Sequence, residues 1–65
     1  MGKYYMSIHD YTGKFIRKFE APHNMDFQIR FYDEKTNELF VTFYSYTISS
    51  LNYKLNITTG ANDIY

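Results

Sequence analysis

The sequence predicts an all-β protein, a small five-stranded antiparallel sheet or barrel. Three observations carry that expectation. Eight Tyr and six Phe in 65 residues stand largely at alternate positions, as in Phe27-Gln28-Ile29-Arg30-Phe31 and Leu51-Asn52-Tyr53-Lys54-Leu55-Asn56-Ile57. Alternation sends successive side chains to opposite faces of a strand. Helix formers such as Ala and Leu are scarce, and no window repeats apolar residues at helical spacing for more than a turn. Gly13, Pro22 and Asn37 fall where turns between such strands belong.

The first strand is expected from Lys3 to His9, with Tyr4, Met6 and Ile8 on one face. Asp10-Tyr11-Thr12-Gly13 follows as a hairpin turn ending in a bulge, with Gly13 supplying the positive φ. A second strand runs from Lys14 to Glu20. Pro22 has no N–H to give a ladder, so Ala21-Pro22-His23-Asn24 is a loop between hairpins. The third strand, Met25 to Asp33, sets Phe27, Ile29 and Phe31 on a core face against Asp26, Gln28 and Arg30.

Asp33-Glu34-Lys35-Thr36-Asn37 is a second tight turn, with Asn37 in the left-handed position. The fourth strand, Glu38 to about Tyr46, is apolar or aromatic on both faces and is expected to be central and covered on both sides. Residues 47–50 form a turn or one helical turn, Leu51 to Ile57 the fifth strand, and Thr59 to Tyr65 an irregular tail. Five short strands at this spacing fit an OB- or SH3-like barrel, or a curled sheet that completes its core by dimerising.

The whole chain, 1–65, reads as one domain near the lower size limit for an unaided core. It has no cysteine, so neither disulfides nor thiolate metal sites assist folding. Aromatic rings, each able to bury roughly 150–250 Å², are the expected substitute, together with association into homo-oligomers. Seven basic and seven acidic residues give zero net charge, which removes both a duplex binder's basic excess and the self-repulsion that opposes association.

No stretch approaches the length of a membrane span, and the N-terminus lacks the apolar run of a secretory signal. A cytoplasmic protein without membrane contact is therefore expected. Gly2 does not begin a myristoylation pattern because Met6 stands where Ser or Thr is required. Asn56-Ile57-Thr58 fits a glycosylation triplet but is read as an ordinary strand end.

The segment Ile8-His9-Asp10-Tyr11-Thr12-Gly13-Lys14-Phe15-Ile16-Arg17-Lys18-Phe19 resembles the inner hairpin of an NHL-type β-propeller blade. The likeness is confined to that segment, one blade cannot close a propeller, and no function is carried over from it.

Catalytic equipment is sparse. His9 and Asp10 are sequence neighbours on a strand end and so point to opposite faces, and Asp10 is explained as the residue that initiates the turn. His9, Asp10, His23 and Asp26 have no recognised ligand spacing, so no metal or cofactor is expected. The chain is read as a non-enzyme.

Two binding readings remain, beside that of a self-assembling structural protein. Tyr5, Tyr32, Tyr44 and Tyr46 alternate with core-facing positions and are expected to form an outer aromatic patch that binds another protein. Alternatively Lys14, Phe15, Arg17 and Lys18 interleave cations with aromatics, with Phe15, Arg17 and Phe19 on one face, as in sheets that bind single-stranded nucleic acid. Zero net charge favours the protein-binding reading. In composition the chain, low in Ala and rich in Lys, Asn, Ile and Tyr, resembles small proteins of phages or mobile elements in AT-rich bacteria. That resemblance implies a stoichiometric inhibitor of a host enzyme or defence complex, such as an anti-CRISPR.

Overall fold

In the computed structural model, which describes residues 2–47 and 49–65, the chain forms β1 (Tyr5–His9), β2 (Phe15–Glu20), β3 (Asp26–Asp33), β4 (Glu38–Tyr44), β5 (Leu51–Asn56) and β6 (Asn62–Ile64). All pairings are antiparallel and fall into a two-stranded hairpin, β1-β2, and a four-stranded sheet, β3-β4-β5-β6. The all-β expectation holds, but the single five-stranded sheet or barrel does not. Among the described residues there are six strands in two sheets, and neither sheet closes.

The extra strand comes from the tail expected to be irregular. Asn56 Oδ1 accepts the N–H groups of Thr58 and Thr59, Gly60 takes a φ of +83°, and Asn56 N–H donates to Ala61 O at 2.7 Å. This turn reverses the chain and lays β6 beside β5, Ile64 opposite Tyr53 and Asn62 opposite Leu55.

Turn chemistry accounts for the other reversals. Asp10 Oδ1 accepts hydrogen bonds from Thr12 N–H, Thr12 O–H and Lys14 N–H, and Gly13 has a φ of +91°. Asn37 adopts a φ of +58°, the left-handed conformation its short side chain tolerates. Between the hairpins Pro22–Asn24 makes a short 3-10 turn, with His23 and Asn24 both at positive φ. Ile48, part of the turn expected over residues 47–50, lies outside the described residues.

The core lies between the two sheets. Met6 and Phe19, cross-strand partners in the hairpin, join Ala21, Met25, Leu39, Val41, Phe43 and Leu55 in one buried cluster. β4 is central, as expected, but only its Leu39, Val41 and Phe43 face is buried, because the hairpin is one layer and covers one side. Phe40 and Thr42 on its other face are half-buried and Tyr44 is exposed.

β3 departs most from expectation. Alternation places Phe27, Ile29 and Phe31 on a common core face, yet all three are exposed. An extra residue at Arg30 is the first reason: Ile29 pairs with Val41, but Phe31 pairs with Phe40. A bulge of this kind inverts the alternation beyond it. Phe27 and Ile29 therefore share the inner face with Phe43 and Val41, Tyr32 joins Leu39 there, and Phe31 moves to the outer face with Phe40. The second reason is position, since β3 is an edge strand.

Candidate functional site

The bulge assembles an aromatic row on the outer face of the four-stranded sheet. The rings of Phe31 and Phe40 lie 5.8 Å apart, and Tyr65 meets Phe40 edge-on at 5.4 Å. Tyr65 reaches this position because its N–H donates to Asn52 O at 3.0 Å, extending β6 along β5. Such tilted and edge-on arrangements are favourable for ring quadrupoles. Phe31 and Tyr65 are both 59% exposed, so the row is open to solvent.

Polar groups surround the row. Cross-strand register places Asp26, Gln28, Asp33, Glu38, Thr42, Asn52, Lys54 and Asp63 on the same outer face. Lys54 pairs with Glu38 at 3.8 Å, Thr42 O–H donates to Asn52 Oδ1 at 2.9 Å, and Arg30 donates to Gln28 Oε1 at 3.1 Å. Carboxylates outnumber cations here, so the rim of the aromatic row is acidic.

This row is not legible in the sequence. Alternation puts Phe31 in the core because a bulge leaves no mark in it, the two-sided apolar pattern of β4 implies a covered Phe40, and Tyr65 lies in a tail with no strand pattern. The only available signal was the Phe31-Tyr32 doublet, which breaks period-two alternation.

The four tyrosines expected to form one patch are dispersed. Tyr5 lies on the outer side of the hairpin, with Lys18 Nζ 4.5 Å from its ring centre. The bulge turns Tyr32 to the inner side, where its hydroxyl donates to Asn37 Oδ1. Tyr44 stands opposite Asp26 at the end of β4, and Tyr46 lies beyond the strand, fully exposed. Only Tyr44 and Tyr46 come together, lining a hollow of about 320 Å³ with Asn24, Asp26 and Ser45.

Of the cation-aromatic set, Lys14 N–H is held by the Asp10 carboxylate. Phe15 pairs with His9, ring centres 5.5 Å apart, after a register shift between Ile8 and His9. That shift separates Phe15 from Arg17 and Phe19, which were expected on its face. Arg17 turns inward: Nε donates to Ile57 O at 3.1 Å and a terminal nitrogen to Thr58 O at 3.0 Å. Lys18 projects from the other side, over Tyr5.

Arg17 also lines an open groove of about 750 Å³ between the hairpin turn and the far end of the sheet, beside Ile8, Leu39, Tyr32 and Ile57. Its polar walls are largely bonded to one another, since Asn37 links Tyr32 to the Thr58 hydroxyl. Asp10 at the rim keeps its carboxyl below the usual range, chiefly through the Thr12 hydroxyl and then the Lys14 N–H. No cluster of three or more His, Cys, Asp or Glu side chains poised to hold a metal occurs among the described residues, and none of their helices is long and apolar enough to cross a membrane. Set against known proteins, the chain matches no family model, no curated protein and no solved structure.

Proposed function

We propose that the chain is a non-enzymatic protein-binding module whose partner docks on the outer face of the four-stranded sheet, over Phe31, Phe40 and Tyr65. The observation that carries this reading is the three-ring row, with Phe31 and Tyr65 exposed on either side of a half-buried Phe40, bounded by polar side chains on a face that the hairpin leaves open. An apolar aromatic centre with a polar rim is the composition of protein interfaces, where a few buried rings supply most of the affinity. The acidic rim favours a partner with basic residues around an apolar depression. It also repels phosphate, which weighs against single-stranded nucleic acid despite the stacking surface.

The groove is the weaker candidate because its hydrogen-bonding groups already serve one another. In the form we favour, the module is a stoichiometric inhibitor of a host enzyme or defence complex, encoded by a phage or mobile element and acting in the cytoplasm. Occupancy of the target surface is then the whole mechanism.

A photo-crosslinking amino acid placed at position 31, at position 65 and, as a control, at position 11 tests the reading. Tyr11 is fully exposed in the hairpin turn, away from the aromatic row. A single protein adduct from positions 31 and 65 in lysate of the source cells, without one from position 11, is the expected result. Adducts from position 11 alone, or from no position, overturn it.

A further inference from the structure

We infer that β3 pairs antiparallel with β3 of a second copy of this chain, about a two-fold axis through Gln28, joining the two four-stranded sheets edge to edge. The inference is independent of what docks on the outer face. β3 spans Asp26–Asp33, is paired on one side only, and carries Phe27 and Ile29 exposed on the inner face. A long edge strand with apolar side chains on its inner face is a template for another strand, and the Arg30 bulge lies at the end of the Asp26–Arg30 stretch that would pair. The charges along it indicate which strand.

In the proposed register Asp26 stands opposite the partner's Arg30, and by symmetry Arg30 stands opposite the partner's Asp26. Phe27 faces the partner's Ile29, and Gln28 faces its own counterpart. Opposite residues in an antiparallel pair point to the same face, and this register respects that: Asp26 and Gln28 share the outer face, with Arg30 bonded to Gln28 there, while Phe27 and Ile29 share the inner one. Centring the axis on Phe27 or Ile29 sets Asp26 or Arg30 against Gln28 and leaves the charges unmatched. Within one strand Asp26 and Arg30 are about 13 Å apart and cannot satisfy each other. Neither has an ion-pair partner among the described residues.

The hollow of Asn24, Asp26, Tyr44, Ser45 and Tyr46 adds a second observation. It opens beside Asp26, where the partner's Arg30 arrives, and two tyrosine rings can flank the guanidinium. Zero net charge opposes neither copy's approach. A lone strand edge from an unrelated partner has no reason to match this alternation of charges, whereas a second copy matches it by symmetry.

Charge exchange tests the register. Wild-type chain is expected to sediment at twice its 7.9 kDa mass at submillimolar concentration. D26R and R30D, each folded by circular dichroism, place like charges opposite each other and are expected to raise the dissociation constant about tenfold or more. Mixed in equal amounts they present opposite charges again and are expected to form a heterodimer, and the double variant D26R/R30D to dimerise alone. A monomeric wild type overturns the inference. So does a dimer that both single variants leave unchanged, or two weakened variants that fail to recover on mixing.

Discussion

Arg17 donates through Nε to the carbonyl of Ile57, forty residues away in sequence, at 3.1 Å. With the second bond to Thr58 O, the guanidinium ties the hairpin to the turn that launches β6. These bonds join the layers at the end of the molecule away from Met25 and Phe43.

Gly60 makes that clamp possible. A Cβ there would stand 2.0 Å from an Arg17 terminal nitrogen, on a backbone already at a φ of +83°. Arg17→Ala is expected to destabilise the fold by about 2–3 kcal/mol, since hydrogen bonds from charged groups are the stronger kind. Gly60→Ala costs about 1–2 kcal/mol for its backbone conformation, plus the displacement of the guanidinium. Urea unfolding of both variants and their double mutant should show a coupling of about 1 kcal/mol, because only the displacement vanishes when Arg17 is absent. Strict additivity would exclude the clamp.

Exposure separates the aromatic residues into two energetic classes. Phe43 is 1% exposed and touches both Phe27 and Tyr53, whereas Tyr46 is fully exposed. Phe43→Ala is expected to cost about 3–5 kcal/mol, enough to unfold a domain of this size at room temperature. Tyr46→Ala should leave the midpoint of thermal unfolding within the change expected for about 0.5 kcal/mol. Differential scanning calorimetry of both variants measures the contrast.

Strand positions and turns were legible in the sequence for local reasons. Alternation marked β5 through Leu51, Tyr53 and Leu55, and the Asp10–Gly13 and Asp33–Asn37 turns were marked by residues that accept left-handed φ or bond their own backbone. β6 was not legible because three residues are too few to show a period, and its pairing depends on the Asn56 and Gly60 turn. Nor was the aromatic row on the outer face, because a single bulged residue decides which side Phe31 and Tyr32 take. That decision belongs to the register with β4, which no local pattern encodes.

The bulge itself is open to test. Ile29 and Phe31 pair with Val41 and Phe40, which are consecutive, so Arg30 is the residue without a partner. In the single chain, measured at concentrations too low for pairing with a second copy, deleting Arg30 is expected to keep every other β3–β4 pair and to retain cooperative unfolding, at a cost of about 1 kcal/mol. Deleting Ile29 instead removes the residue opposite Val41 and is expected to cost more than twice as much. Chemical denaturation of the two deletion variants compares them, and an unfolded Arg30 deletion would mean the bulged conformation is required by the sheet.

Acid sensitivity should be traceable in part to the hairpin turn. Asp10 accepts bonds from the Thr12 hydroxyl, the Lys14 N–H and the Thr12 N–H, and its carboxyl is held below the ordinary value of 3.8 in the folded chain. The unfolded state lacks these donors and keeps the ordinary value. Between the two values the unfolded chain binds more protons than the folded one, so stability rises with pH through that window. The contribution of Asp10 is therefore complete above the unfolded value and is lost as pH falls through the lower folded one. Asp10→Asn removes the charge that makes these bonds strong and should lower the melting temperature at neutral pH. The gap between wild type and variant should stay constant from neutral pH down to about pH 5 and close below the carboxylate range. Melting curves across that range distinguish this from a purely steric effect of the substitution, which would leave the gap the same in acid.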